Sequence, residues 1–413
     1  MRGAGRPEEL VARSRVLTDP ANLIDTGSGP DRVLWMNEEM GLAGEGVALR
    51  LGFAGVDDAG AVAEALAAID TDDEVQEPGS GPVAFSALPF DLRRGGELVV
   101  PSRIVGRRGQ HWWETVIERR DGSALAVPPL PDASGASPDE FSLSPSMPHE
   151  EWLRVIAEAV ERIGNGELDK VVLARRVDVV ANRPFVLSEV IGRLVALYPT
   201  CMVFHLGGFI GASPELLVRR KGAEIASHPL AGTVARSGDE AADDALVAGL
   251  MASAKERWEH RVVIDHLVEV LGPLCERLEL PETPVVLGLR NVSHLATPIH
   301  GRLAPRQDGI PTALELVAAL HPTAAVGGHP TADAVAYLEK VEGFERGPYA
   351  GPVGWVDGRG DGAWALGIRS AQVESNRASM YAGNGIVAGS DPAGELAETQ
   401  LKLQALLAAL VRP

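Results

Sequence analysis

The C-terminal part of this chain contains charged side chains whose types and spacing suit a metal ion and an anionic ligand. Arg369 precedes a strand-like stretch, 381–389, that contains three glycines, and a predicted helix follows it. On that helix Glu395 and Glu398 are three residues apart and Glu398 and Lys402 are four apart, so all three share one face. Carboxylates can hold a divalent cation, and an arginine beside bare backbone amides can hold an anion. The pattern therefore indicates a chemical site.

Two residues far upstream could exchange protons with a ligand. Lys170 opens an otherwise apolar, strand-like stretch, where partial desolvation would disfavour its charged form and make it a usable base. Glu215 follows Pro214 and leads into apolar sequence, which could raise its pKa and make it a general acid. Each residue taken singly also fits a simpler interpretation, because most lysines and glutamates are solvated at the surface.

Three short segments supply small or acidic residues that could complete the site. Segment 228–233 contains Gly232, which would let the backbone approach a ligand closely. Segment 255–260 lies in a predicted helix, and its Glu259 could provide one of the few protein oxygens that Mg²⁺ takes. Segment 321–328 ends a predicted helix in a glycine-rich loop that suits a pocket wall. Each also fits an ordinary loop or a solvated helix face, and no HExxH pattern for zinc occurs.

The elements that must position these residues are predicted to be a mixture of strands and helices. Residues 170–180, 202–207 and 209–212 are typical of strands, and 150–163 has its apolar residues on one helical face. Residues 240–271 are predicted to form one long helix. Strand and helix do not alternate regularly, which favours an antiparallel-rich α+β fold over a doubly wound parallel sheet.

Composition narrows the class of protein. The chain has 413 residues, 45% hydrophobic content and a net charge of −19, which is typical of a globular protein whose surface repels nucleic acid and anionic membranes. Cys201 and Cys275 are too few for a disulfide framework, and the N-terminus lacks the apolar core of a signal peptide. We therefore expect a cytoplasmic protein with no nucleic-acid or membrane partner, monomeric by default, with a homodimer as the alternative.

One shift in composition divides the chain. Residues 128–148 are rich in Pro, Ser, Ala and Asp and are predicted to form a loop between two halves. We expect a weakly ordered segment at 1–30, followed by two parts at 31–140 and 145–413.

Ten segments in a fixed order resemble the chorismate-utilising enzymes, which include isochorismate, salicylate, anthranilate and aminodeoxychorismate synthases. They lie between about residue 150 and the C-terminus, and they read KVVLARR, GASPELL, PLAGT, AKERWEH, SHLATPIHG, HPTAAVGG, RGPYAGPVGW, WALGIRSA, YAGNGIVAGS and GELAETQLKL. The resemblance implies one large α+β chorismate-binding domain, with two antiparallel β-sheets packed as a core and helices outside. It also implies that 31–140 is a variable N-terminal part of the same fold and that 145–413 is the catalytic region.

The resemblance also implies roles for particular residues. Lys170 matches the lysine that activates water for attack on C2 of chorismate, and Glu215 matches the acid that protonates the departing C4 hydroxyl. Glu259 and Glu398 match ligands of Mg²⁺, and Glu395 would support that metal through water. The residues matching substrate-binding positions are Gly232, Thr233, Ala325, Val326, Tyr349, Ile368, Arg369, Gly383, Gly385 and Lys402.

The subtype implied is isochorismate synthase, an isomerase that adds water at C2 of chorismate and loses the C4 hydroxyl. Lys170 separates the isochorismate and salicylate enzymes from the amine-transferring members, which lack it. HPTAAVGG resembles the isochorismate synthase form of its segment, because anthranilate-type enzymes carry a hydroxyl residue where Ala325 stands. The alternatives are a salicylate synthase, which also eliminates pyruvate, and a catalytically silent chorismate-binding protein. The product would enter menaquinone or siderophore biosynthesis.

Overall fold

The computed structural model describes residues 6–29, 31–127, 136–307 and 309–411. More of the described chain is strand than helix. The strands are β1 (Leu10–Leu17), β2 (Arg32–Met36), β3 (Met40–Glu45), β4 (Leu49–Phe53), β5 (Asp70–Asp73), β6 (Val83–Ala87), β7 (Gly96–Val100), β8 (Arg103–Arg108), β9 (His111–Arg119), β10 (Phe141–Pro145), β11 (Lys170–Ala181), β12 (Met202–Leu206), β13 (Phe209–Ser213), β14 (Leu216–Lys221), β15 (Glu224–His228), β16 (Leu230–Ala235), β17 (Cys275–Glu279), β18 (Val285–Gly288), β19 (Val292–Ala296), β20 (Ile299–Leu303), β21 (Gly328–His329), β22 (Pro352–Asp357), β23 (Gly362–Leu366), β24 (Ser370–Glu374) and β25 (Arg377–Ile386).

The helices lie between these strands and at the C-terminus. They are α1 (Leu23–Gly27), α2 (Val56–Ala67), α3 (His149–Gly164), α4 (Leu187–Leu197), α5 (Glu240–Ala252), α6 (Ala254–Leu271), α7 (Ala313–Leu320), α8 (Thr331–Val341) and α9 (Pro392–Val411). The single helix predicted over 240–271 is wrong, because Ser253 adopts an extended conformation and separates α5 from α6. The Ser253 hydroxyl accepts the Glu256 N–H, so a serine favoured at helix starts begins a new helix here. None of the described helices has both the length and the apolar character needed to cross a membrane.

Two large sheets form the framework, which confirms the predicted α+β class. The larger sheet has the path β10-β11-β25-β24-β13-β12-β2-β3-β8-β9-β1-β5, with β21 beside β11, and the second has the path β17-β20-β15-β14-β23-β22-β6-β7-β4. Within the described chain, β1 and β5 pair in parallel and the other ladders are antiparallel. A third, three-stranded sheet, β16-β19-β18, was not predicted.

The two large sheets face each other across an apolar layer, and helices cover their other sides. Trp35 of β2 and Trp355 of β22 meet edge to face in this layer, with ring centroids 6.4 Å apart. A second cluster joins the outer side of the larger sheet to α1, α4 and α9. The third and largest cluster packs α2, α3, α6, α7 and α8 against the sheets. Burial of these faces is the main stabilising contribution to the arrangement.

The N-terminal part contributes strands to both large sheets. In the segment expected to be weakly ordered, β1 pairs with β5 and β9, α1 packs on β3, and Leu10 is fully buried; residues 1–5 and 30 lie outside the described part. Strand β2 pairs with β12, and β6 pairs with β22. Within the predicted linker, 128–135 lie outside the described residues, and Phe141–Pro145 forms β10 rather than loop.

Candidate active site

A narrow buried pocket brings together residues from widely separated parts of the chain. It lies where β11 and β25 of the larger sheet meet β16, the turn before β14 and the loop after β23. Glu215 and Glu259 line it, and so do all the residues expected to bind substrate, namely Gly232, Thr233, Ala325, Val326, Tyr349, Ile368, Arg369, Gly383, Gly385 and Lys402. Lys170, Glu395 and Glu398 lie behind this lining, each in contact with a charged or polar neighbour.

Lys170 is the first residue of β11, and its side chain is 1% exposed. Its ammonium lies 3.1 Å from Oε1 of Glu259 on α6. Gly385, in the register position opposite Val172 on β25, makes room for this pair, since a Cβ there would overlap the Glu259 carboxylate and lie 2.7 Å from Cε of Lys170. The alternative interpretation of Lys170 as a solvated strand-end lysine is therefore wrong.

Glu215 sits between β13 and β14, and it is 5% exposed. Burial raises the pKa of its carboxyl to about 7, although the Leu230 N–H and the charges of Lys170 and Arg369 act in the opposite direction. The Leu230 N–H donates to Oε1 of Glu215 at 3.3 Å. A carboxyl with this pKa can carry a proton at neutral pH and donate it. Because Glu215 is buried, the alternative interpretation of it as an exposed turn residue is wrong.

Arg369 reaches the pocket from the loop between β23 and β24, with its backbone in the left-handed region at φ 51°. Its Nη2 lies 3.2 Å from Nε2 of His294 on β19. Because a guanidinium only donates, Nε2 of His294 must accept, and the imidazole proton then resides on Nδ1. That Nδ1 lies 3.0 Å from the Thr233 hydroxyl. Burial lowers the pKa of His294 well below its usual value, in agreement with this neutral tautomer.

Tyr349 is buried in the pocket lining and stacks on Tyr381 of β25, with ring centroids 4.9 Å apart and planes 17° from parallel. Burial raises the pKa of its hydroxyl to about 12, so the phenol stays protonated and can donate. Gly383 lets the Tyr349 hydroxyl come close to the backbone of β25, because a Cβ at residue 383 would lie 2.9 Å from the Tyr349 oxygen. Tyrosine and arginine donors thus converge on one pocket.

Acidic residues of α6 and α9 face each other, and each of the three predicted metal-binding glutamates has a lysine partner. Besides the Lys170–Glu259 pair, Lys402 lies 2.6 Å from Glu398, and Lys255 lies 2.9 Å from Glu395. Lys402 also donates to the carbonyl of Gly383 and to Oδ1 of Asn384, both at 2.9 Å. The Asn384 amide in turn donates to Glu395 at 3.0 Å.

The donor chemistry of this group fits Mg²⁺. Burial raises the pKa of Glu256, and the like charges of Glu259 and Glu398 raise it further, so negative charge is crowded here. A divalent cation would relieve that crowding, and oxygen atoms are the ligands that Mg²⁺ prefers. The described residues contain no cluster of three or more acidic, histidine or cysteine side chains at metal-binding distance. Mg²⁺ usually takes only one or two carboxylates from a protein and completes its shell with water and substrate.

Several residues of the site were missed by the sequence analysis. Glu256 could have been found, because it lies three residues before Glu259 and therefore on the same helical face. Lys255 and Asn384 belong to quoted motifs, but their partners lie about 140 and 11 residues away, respectively, on α9. His294 belongs to the quoted motif SHLATPIHG, but a single histidine in a predicted strand gave no reason to prefer a functional role over a structural one.

Comparisons with known proteins agree with this geometry. The family model described as "Chorismate binding enzyme" matches residues 12–411. The chain is 39% identical over 347 residues to the putative isochorismate synthase MenF of Mycobacterium tuberculosis (strain CDC 1551 / Oshkosh), covering 80% of this chain and 87% of that protein.

Two solved structures share the fold. One is a putative 2,3-dihydroxybenzoate-specific isochorismate synthase, DhbC from Bacillus anthracis, with TM-score 0.78 and 30% identity over 94% of this chain and 97% of that one. The other is MenF, the menaquinone-specific isochorismate synthase from Escherichia coli, with TM-score 0.80 and 25% identity over 98% of this chain and 95% of that one. The chain therefore belongs to the chorismate-binding enzyme family.

Proposed function

We propose that this protein is an isochorismate synthase, which converts chorismate reversibly to isochorismate. The observation that carries the proposal is the buried Glu215, whose pKa of about 7 suits a general acid, in a pocket bounded by the buried Lys170–Glu259 pair. Exchange of a hydroxyl between C4 and C2 needs one base and one acid. The names of the relatives support the same activity.

The proton transfers balance with these two residues. Lys170, once its ammonium has left the ion pair with Glu259 and given up a proton to solvent, takes a proton from water as the water oxygen bonds to C2 of chorismate. The ring double bonds shift, the bond between C4 and its oxygen breaks, and the departing hydroxyl takes the proton of Glu215. One water is consumed and one is released, so the product is an isomer of the substrate. Lys170 then releases its proton and Glu215 takes one up, which restores both groups for the next turnover. The reverse reaction exchanges the two roles.

The remaining polar groups of the pocket suit a small dianion. Arg369 offers a planar fork that matches a carboxylate, and Tyr349 offers a protonated phenol beside it. Thr233 accepts from His294, which leaves its own hydroxyl proton available to donate. Gly383 and Gly385 present backbone without side chains. A protein with net charge −19 needs such local donors to hold an anion.

Mg²⁺ belongs to this proposal. Glu259 and Glu398 would hold it, and Glu395 and Glu256 would act through water. When bound, Mg²⁺ would orient the ring carboxylate of chorismate and draw negative charge toward it as the double bonds shift. Lys170 and Lys402, which now pair with Glu259 and Glu398, would be left facing the substrate side of the pocket.

The decisive experiment is incubation of the purified protein with chorismate and Mg²⁺, followed by chromatography. We expect isochorismate to form until it reaches equilibrium with chorismate. Sustained stoichiometric salicylate and pyruvate would instead identify a salicylate synthase. Absence of any turnover, with chorismate still bound, would identify a silent binding protein. One solved relative is named as specific for 2,3-dihydroxybenzoate and the other for menaquinone. We therefore propose that the isochorismate made by this protein enters menaquinone or siderophore biosynthesis.

A further inference from the structure

The edge of β11 that faces away from β25 is covered by separate pieces of chain. Strand β21 pairs with Lys170 and Val171, and β10 pairs with residues from Val177 onward. Between them the Val172 N–H donates to the carbonyl of Gly327, but none of the strands in the described part of the chain covers Val172 and Ala174 on this edge. Unpaired backbone groups inside a protein are costly, so other groups must bond to them.

A buried ion pair fills this gap. Glu342 and Arg346 are four residues apart, their side chains are both 4% exposed, and Nη2 of Arg346 lies 2.5 Å from Oε1 of Glu342. Oε1 of Glu342 accepts the Ala174 N–H at 2.8 Å, and Nη2 of Arg346 donates to the Val172 carbonyl at 2.6 Å. The pair therefore replaces a missing strand segment along β11.

The same guanidinium holds two other walls of the pocket. Its Nη1 donates to the carbonyl of Val326 at 2.8 Å, and its Cζ lies 5.9 Å from the ring centroid of Tyr349. The Tyr349 N–H donates to the Arg346 carbonyl at 3.0 Å. On the other side the guanidinium covers the ring of Phe90 at 4.3 Å. One side chain thus contacts the strand that begins with Lys170, the wall at Val326 and the turn that carries Tyr349.

We propose that the Glu342–Arg346 pair is a positioning device for the reaction, because it fixes β11 two residues after Lys170 and aligns Tyr349 with it. This inference rests on the proposed function. A lysine at position 346 would keep the charge, but its single ammonium cannot reproduce bonds that now leave from Nε, Nη1 and Nη2. A shift of about 1 Å in a reacting group can cost on the order of 10²-fold in rate.

The test compares Arg346→Lys with Arg220→Lys. Arg220 and Asp361 form a second buried pair, with side chains 7% and 10% exposed and a 3.1 Å contact, and neither lines the pocket. The melting temperature of each variant is recorded first. We then measure kcat and KM for isochorismate formation at a temperature well below the melting temperatures of both variants. We expect Arg346→Lys to lower kcat at least tenfold, with a smaller change in KM. Arg220→Lys should lower the melting temperature similarly and keep kcat within about twofold of the unmodified protein.

The outcomes separate this inference from the proposed function. If the unmodified protein forms no isochorismate, the proposed function fails before any variant is compared. If it is active and the two variants have equal kcat, the pair is only structural and the positioning role is overturned. Should Arg346→Lys not fold, Glu342→Gln against Asp361→Asn makes the same comparison. A fall in kcat confined to Glu342→Gln supports the inference, and equal values contradict it.

Discussion

At the scale of single residues, burial determines what each charged group can do. Lys170, Glu215, Glu395 and Lys402 are all buried, although lysine and glutamate usually lie at the surface. Each is tolerated because it has a partner, and the partners are other residues of the same site. Functional chemistry and folding therefore depend on the same contacts.

Glu215→Gln tests the proposed role of Glu215 as the general acid. Glutamine preserves the size of the side chain and its acceptor oxygen, but it has no proton to give to the departing hydroxyl. We expect kcat to fall on the order of 10²-fold or more, with a melting temperature no lower than that of the unmodified protein. Isochorismate formation by chromatography and a thermal unfolding scan provide the measurements. An unchanged kcat would remove Glu215 from the mechanism.

The pH dependence of stability follows from the same residue. Burial raises the pKa of Glu215 from 4.5 to about 7, so the folded protein binds this proton more tightly than the unfolded chain. The contribution of protonated Glu215 to the free energy of unfolding is fully present below about pH 4.5 and is lost as the pH rises through 7. Between pH 5 and 8 we expect the unfolding free energy of the unmodified protein to fall relative to that of Glu215→Gln, by at most on the order of 3 kcal/mol. Urea unfolding at several pH values measures this, and parallel pH curves would contradict it.

Gly385→Ala tests how closely the Lys170–Glu259 pair is packed. The added methyl group would overlap the Glu259 carboxylate and press on Lys170, so both side chains must move. We expect activity to fall at least tenfold. Gly192→Ala in α4 is the matched control, because a Cβ there meets no atom within 4 Å and alanine favours a helix. If both variants retain full activity, the pair is less constrained than the structure indicates.

At the scale of elements, the break between α5 and α6 places the acidic residues at a helix start. Ser253 accepts the Glu256 N–H at 3.3 Å, and Lys255, Glu256 and Glu259 occupy the first turns of α6. A continuous helix over 240–271 would have kept its axis and carried these side chains in another direction. The cap therefore matters for the site as well as for the helix.

Ser253→Ala tests this link between cap and site. Loss of an N-cap typically costs about 1 kcal/mol, and fraying of the first turn would loosen Glu256 and Glu259. We expect a small fall in melting temperature and a several-fold rise in the Mg²⁺ concentration that gives half-maximal activity. Asp239→Ala is the control, since Asp239 caps α5 by accepting the Ala242 N–H at 2.9 Å and lies outside the pocket lining. Equal Mg²⁺ requirements in both variants would show that the cap serves the helix alone.

At the scale of the whole molecule, the two halves of the chain share their sheets. Strands β2 and β3 lie between β12 and β8 in the larger sheet, and β6 lies between β22 and β7 in the second. The division at residue 145 remains a prediction from the resemblance, and it marks where the recognisable motifs begin. The sheet order shows that this point is not a boundary between separately built sheets.

A truncated chain starting at residue 145 tests this integration. It would lack β2 and β6, so β12 and β22 would expose unpaired edges and the apolar layer between the sheets would be open. We expect the fragment to aggregate or to show no cooperative unfolding transition by circular dichroism. A soluble fragment with cooperative unfolding and isochorismate synthase activity would show that 145–413 is an independent catalytic unit.

The sequence by itself determined the fold class and the residue types of the site. Strand and helix periodicity are local properties, so 170–180 and 150–163 were located from a few neighbouring residues. The ten ordered motifs then implied which residues belong together. The resemblance to chorismate-utilising enzymes supplied the roles that spacing alone left open, such as base for Lys170 and acid for Glu215.

Only the tertiary structure decided which partner each charged group has. The contacts of Lys170 with Glu259, Arg369 with His294, and Lys402 with Asn384 join residues that are 18 to 89 positions apart. Such contacts depend on strand register and on the packing of α6 and α9 against the sheets, which no local pattern encodes. The C-terminal cluster of Arg369, Glu395, Glu398 and Lys402 was visible from spacing. Its function depends on burial and on distant partners, because these determine the charge each group carries.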